Sequence, residues 1–134
     1  MLKLTNFCAG YRSTPVLNQI SLEVEAGEMI AVLGRNGVGK TTLLKAIAGL
    51  IPSTSGDLLL NQRSLVQLPA YQRIRAGIGY VPQGREIFSS LSVRENILTG
   101  QYRRIKSVEH NIEWLLDLFP MLAAKLNDRG DSLS

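Results

Sequence analysis

The stretch MIAVLGRNGVGKTT, residues 29–42, decides how the chain is read. Its first five residues, Met29, Ile30, Ala31, Val32 and Leu33, are apolar without a break. A half-exposed strand alternates polar and apolar side chains, so this run reads as a strand buried on both faces, as in a parallel sheet. The residues that follow satisfy G-x-x-x-x-G-K-[ST] through Gly34, Gly39, Lys40 and Thr41, with Arg35, Asn36, Gly37 and Val38 between them. Residues 40–48 then read as a helix with Leu43, Leu44, Ile47 and Ala48 on one side and Gly49 placed to end it. Glycines let the loop backbone bend until successive N–H groups point inward at phosphate, and the helix N-terminus adds a partial positive charge. Lys40 is expected to bridge the β- and γ-phosphates of a nucleotide, Thr41 to place its hydroxyl on Mg2+, and Thr42 to bond an α-phosphate oxygen.

The flanks supply further elements. Residues 2–7 and 20–24 alternate, apolar in and polar out, which predicts two half-exposed antiparallel strands. Pro52, Ser53, Thr54, Ser55 and Gly56 read as a break before a short strand over 57–60, which turns at Asn61-Gln62. Residues 69–76 form a short basic helix stopped by Gly77, and 78–81 another strand. Ser92-Val93-Arg94-Glu95 fits the capping box of a helix running through Thr99 to Gly100. Val108, Ile112, Leu115, Leu116 and Phe119 make a helical stripe, with Glu109, Glu113 and Asp117 on the wet side and Pro120 as the stop. Beside that stripe Trp114 is expected to pack, and His110, without a partner at ligand spacing, to be a surface residue.

Composition narrows the function classes. At 134 residues the chain is one domain's worth, with 45% hydrophobic and 19% charged residues. The net charge is +4, but the cations are dispersed, and the densest cluster, Arg103, Arg104 and Lys106, reads as a solvated helix face; no nucleic-acid partner is expected. Cys8 is the single cysteine, which excludes an intrachain disulfide and a cysteine metal site and predicts a buried apolar thiol. No run approaches the ~18 apolar residues of a membrane span and the start lacks a signal-peptide pattern, so a cytoplasmic chain without direct membrane insertion is expected. That expectation argues against reading Arg129-Gly130-Asp131 as an adhesion tripeptide.

A phosphate loop alone does not choose among kinases, GTPases and transport ATPases. AGYRSTPVLNQISLEVEAGEMIAVLGRNGVGKTTLLKAIAGLIPSTSGDLLL, residues 9–60, and GIGYVPQGREIF, residues 77–88, resemble the ATP-binding subunits of ABC transporters. The resemblance implies an α/β fold: the N-terminal part of an ABC-type P-loop ATPase domain, with an antiparallel β-subdomain, a P-loop parallel core and the start of the helical subdomain. It divides the chain into a nucleotide-binding core and β-subdomain over about 1–85 and a helical subdomain over about 86–134. It implies ATP and Mg2+ as cofactors and gives the adenine-stacking aromatic to Tyr11, whose bland rival is a strand-edge aromatic. The glutamine that contacts Mg2+ and the attacking water falls on Gln83, whose rival is an ordinary turn polar. Arg85 and Glu86 read equally as contacts for a membrane-subunit helix or as solvated loop charges. The implied partners are membrane permease subunits and a second ATP-binding subunit in a dimer sandwich, at the cytoplasmic face of the inner membrane.

Within that family YVPQGREIFSSLSVRENILTG, residues 80–100, is similar to the ATPases of importers for urea and for branched-chain amino acids, and Arg35 tilts the likeness toward urea. The family continues Leu-Ser with Gly-Gly-Gln, then a strand ending in a metal-binding aspartate, a catalytic glutamate and a switch histidine; here Leu133-Ser134 closes the sequence. The chain is therefore expected to be an N-terminal fragment that binds nucleotide without useful hydrolysis, and whose 29–33 strand lacks neighbours. The alternative is a short non-transport P-loop protein that binds nucleotide in a regulatory role.

Overall fold

The computed structural model describes residues 1–11, 14–84, 86–100 and 108–133, and the side chains of 108–111 lie outside that description. Arg85, the Arg103, Arg104 and Lys106 cluster, the His110 side chain and Ser134 therefore fall outside the described residues. The chain divides into two compact units, Met1–Val81 and Pro82–Ser134.

The first unit is built on an antiparallel sheet. Strands β1 (Leu2–Tyr11), β2 (Thr14–Val24), β3 (Ser53–Leu60) and β4 (Arg63–Ser64) lie in the order β2-β1-β3-β4. Both long strands outrun the alternation in the sequence, because an extra residue interrupts it. Between Leu4 and Phe7 strand β1 advances three residues while β2 advances two, from Leu22 to Ile20. Asn6 takes up the surplus with a φ of 46°, a value that asparagine tolerates better than most residues. Leu4 and Phe7, three apart, are thereby both buried. Residues 53–56, expected as a break, belong to β3, where pairing with β1 overrides their polar, turn-prone composition. Asn61 and Gln62, with φ of 48° and 66°, make the tight turn into β4. Cys8 is half-buried, and its sulfur accepts the Gln19 N–H at 3.2 Å, so it sits among polar groups and not in an apolar pocket.

Helix α1 (Lys40–Ala48) packs Leu43 and Ala46 into the core formed by Leu4, Phe7, Ala9, Leu17 and Leu58. It ends where Gly49 turns left-handed at φ 81°, with the Leu50 N–H on Lys45 O and the Gly49 N–H on Ala46 O. A Cβ at Gly49 would also stand 3.0 Å from Ala70 in α2 (Ala70–Ala76), so glycine is needed there for approach as well as for φ. Arg73 of α2 is the one buried charged residue among those described, at 2% exposure. Its guanidinium donates to Ala46 O (2.7 Å), Ile47 O (3.0 Å), Val66 O (3.0 Å) and Leu68 O (2.8 Å). Burial pulls its pKa below the usual arginine value, and the carbonyls at the C-terminus of α1 supply the compensating negative potential.

The strands expected at 29–33 and 78–81 do not form among the described residues. Residues 29–33 join no ladder among the described residues, and Met29 and Leu33 are 95% and 88% exposed. Residues 78–81 are likewise outside any ladder. An apolar run becomes a strand only when neighbours take up its N–H and C=O groups. The described sheet is wholly antiparallel and places no strand beside either run.

In the second unit, α3 (Val93–Thr99) and α4 (Val108–Leu118) are followed by 3-10 turns at Pro120–Lys125 and Gly130–Ser132. The capping box forms as expected: Glu95 N–H bonds Ser92 Oγ at 3.2 Å, and Glu95 Oε2 accepts the Ser92 N–H at 2.8 Å. On α4 Ile112 is buried and Leu115 and Leu116 half-buried, but Trp114 is 61% exposed. That corrects the expected packing role. Two residues past Ile112 a helix has turned through about 200°, which carries Trp114 to the face opposite the stripe.

Replacing Arg73 should test the buried clasp. Arg73→Met is expected to cost on the order of 3 kcal/mol in urea denaturation, because four carbonyls lose their donors. Arg73→Lys should cost nearly as much, since three donors on one nitrogen cannot span that spread. The capping box makes a pH prediction. Hydrogen bonds from the Ser92 backbone and hydroxyl hold the Glu95 carboxyl below its ordinary pKa. Its stabilisation is therefore complete above the unfolded carboxyl range, about pH 4, and is lost as pH falls through the lower folded value. Denaturation midpoints of Glu95→Gln should lack that part of the pH dependence.

Candidate nucleotide-binding site

The loop 34–39 leads from the 29–33 segment into α1, and its conformation follows from its glycines. Gly37 and Gly39 sit at φ 84° and 98°, in the left-handed region that a Cβ disfavours. Gly39 is the N-cap of α1, and no side chain caps the helix. No acidic residue stands in the first turn either, so the partial positive charge of the helix end is not neutralised by its own first turn. Lys40 turns its ammonium back over the loop and donates to Gly34 O at 2.7 Å and Arg35 O at 2.6 Å. Two of its three donors are thus used to brace the loop, and one is left for an anion. The Thr41 residue is exposed and Thr42 half-buried, directly behind the lysine in the first helical turn. Arg35, Asn36 and Val38 are exposed, the last at 57%.

The structure brings residues 34–42 together as one loop and helix start. Tyr11 lies at the end of β1, opposite Thr14, and is 52% exposed. Gln83 is exposed and belongs to the other unit. Among the described residues no cluster of three or more His, Cys, Asp or Glu could hold a metal ion. The chemistry of the donor set fits a nucleotide: a glycine-rich loop, a lysine and two hydroxyls suit phosphate oxygens, and Mg2+ binds chiefly through the phosphates it accompanies. Arg129 and Asp131 pair with each other at 2.9 Å while Gly130 is buried, so the tripeptide presents a closed ion pair.

Two residues passed unnoticed in the sequence. Arg73 anchors the C-terminal end of the helix that carries Lys40, and nothing in a short basic helix marks it out from its neighbours. Asn96 has a signal that could have been read, since asparagine inside a short helix is a poor helix former and usually bonds elsewhere.

The profile of the ABC transporter family matches residues 17–134. The chain is 36% identical over its whole length to a protein of Archaeoglobus fulgidus named a probable branched-chain amino acid transport ATP-binding protein, LivF, and covers 57% of it. It is 33% identical over its whole length to the high-affinity branched-chain amino acid transport ATP-binding protein BraG of Pseudomonas aeruginosa, covering 58%. With the lipopolysaccharide export ATP-binding protein LptB of Escherichia coli the identity is 37% across 72% of this chain and 40% of that protein. The chain thus spans little more than half the length of the whole-chain relatives. A dimeric post-hydrolysis ATP-binding cassette holding ADP and Pi superposes on all of this chain, and on 63% of its own, with a TM-score of 0.80 at 25% identity. Among the described residues no helix is long and apolar enough to cross a membrane. With the family profile and these relatives on one side and the Gly34 to Thr42 loop on the other, the chain belongs to the ABC transporter family, as an ATP-binding cassette sequence.

Proposed function

We propose that this chain is part of the ATP-binding subunit of an ABC importer that couples ATP binding and hydrolysis to solute uptake. The observation that carries the reading is the start of α1, uncapped and free of acid, with Lys40 folded over the loop beside it. Gly34, Arg35, Asn36, Gly37, Val38, Gly39, Lys40, Thr41 and Thr42 hold the phosphates, with Tyr11 against the base. Thr41 and Gln83 are the residues that would hold the Mg2+ accompanying the nucleotide. The bound ion and nucleotide supply a γ-phosphoryl group whose charge is already partly neutralised. The chain's own work is positioning: loop amides fix the phosphates, Lys40 exchanges loop carbonyls for phosphate oxygens, and Gln83 orients water.

Branched-chain amino acids lead as the solute class, because both whole-chain relatives named above carry that transport in their names. Urea is the second reading, on Arg35 and the 80–100 stretch. The partners are permease subunits and a second ATP-binding subunit, at the cytoplasmic face of the inner membrane. A core over about 1–85 and a helical subdomain over about 86–134 divide the work between nucleotide and partners. In this reading the 134 residues taken by themselves bind nucleotide without useful turnover.

Titration with Mg-ATP tests the site. Lys40→Ala should weaken binding by at least about tenfold, the loss of a charge-assisted bond; equal affinity for both proteins would refute it. A phosphate-release assay tests the turnover claim, and a Lys40-dependent, Mg2+-dependent rate equal to that of a complete subunit would overturn it.

A further inference from the structure

The last glycine of the phosphate loop rests on strand β2. A Cβ at Gly39 would stand 3.2 Å from Leu17 Cδ2 and 3.4 Å from Val16 Cγ1. Consecutive side chains of a regular strand point to opposite faces, yet here both reach one residue. The register explains it. Ala9 pairs with Leu17 and Gly10 with Pro15, so β2 spends one more residue than β1 over that step, and Val16 is the surplus. A bulge of this kind re-aims side chains out of the regular alternation. It needs glycine at position 10, where a Cβ would run into the Thr14 carbonyl and stand 2.8 Å from Pro15 Cα. Leu17 is buried, at 4% exposure, in the core it shares with Leu43 and Ala46 of α1, while Val16 lies at the surface. Gly39 in turn carries the first turn of α1. Its carbonyl accepts the Leu43 N–H at 2.8 Å, and Lys40 follows it in the chain and braces the carbonyls of Gly34 and Arg35.

We propose that Leu17, helped by Val16, is a positioning residue of the phosphate site: the bulge in β2 brings both side chains against Gly39 and fixes the point from which the loop and Lys40 reach an anion. The role toward phosphate rests on the nucleotide-binding reading above, whereas the seating of Gly39 rests on packing alone. No side chain caps this helix end. A capping oxygen would occupy the amides that an anion needs, so apolar support holds the helix start without competing for them.

Titration with Mg-tripolyphosphate, which has no base to engage Tyr11, tests the role on the full chain. Leu17→Ala should raise its Kd about tenfold and Val16→Ala about threefold, the range of one misaligned hydrogen bond to a charged group. Leu17→Met, which keeps the volume, should stay within about twofold of the wild type. Leu58→Ala removes the same atoms from the same core, at the Leu4 end of β1, and should also stay within about twofold, well under one hydrogen bond. Amide exchange gives a second readout without ligand. In Leu17→Ala the Leu43 amide should exchange at least about tenfold faster relative to the Leu50 amide at the other end of α1, a ratio that Leu58→Ala leaves alone. Where Leu17→Ala does not fold, Val16→Ala decides. An unchanged Kd or an unchanged exchange ratio in a folded Leu17→Ala overturns the proposal, and so does a Kd that Leu58→Ala raises as much. A wild type that binds neither Mg-ATP nor Mg-tripolyphosphate overturns the nucleotide reading instead, and the exchange ratio then decides the seating of Gly39.

Discussion

The first unit depends on a guanidinium whose hydrogen bonds, among the described residues, go to backbone carbonyls. Arg73 reaches four carbonyls, two of them at the C-terminal end of α1 and two in the loop that precedes α2. The last carbonyls of a helix have no partner inside it and carry the negative end of its dipole. A planar fork with five donors can satisfy several of them together, which an ammonium cannot. One end of α1 is thereby fixed to α2 and the 66–68 loop, and the other end presents Lys40 and the two threonines. The burial of Leu43 and Ala46 beneath the helix and the left-handed Gly49 at its end are parts of the same arrangement.

The second unit solves a similar problem with a neutral group. Asn96 plays toward the 88–92 loop the part that Arg73 plays toward 66–68: a side chain that replaces missing secondary structure as the partner of backbone polar groups. In both places glycine stands on the other side, Gly49 against Arg73 and Gly130 against Asn96, because a Cβ would occupy the space through which the polar group reaches. Polar side chains bonded to backbone set the course of both loops, while apolar burial holds the sheet and α1.

Local rules were legible where a few consecutive residues decide the outcome. The limits of α1, the capping box from Ser92 to Glu95 and the stop at Gly49 follow from geometry within one or two helical turns, so the sequence showed them directly. The extent of β1 and β3 was not legible, because the bulge at Asn6 shifts the alternation and the partner strand decides whether a polar stretch such as 53–56 pairs. Trp114 is exposed because helical phase, and not residue type, sets the face a side chain joins, and two residues past Ile112 that face is the wet one. The charge of the site was readable through Lys40, but the direction in which its ammonium turns depends on where the loop carbonyls lie.

The sequence by itself determined the donor set: glycines followed by a lysine and two hydroxyls at the start of an amphipathic helix give a turn whose groups suit phosphate, since that needs only residue type and spacing. The same sequence also marked 29–33 as apolar enough for a buried strand. Tertiary structure decided that it is not one among these residues, because a strand is made by the neighbours that take its hydrogen bonds and not by its own side chains. Tertiary structure also chose Arg73 and Asn96 for their tasks, since the carbonyls they serve come together only when residues distant in the chain have folded against one another.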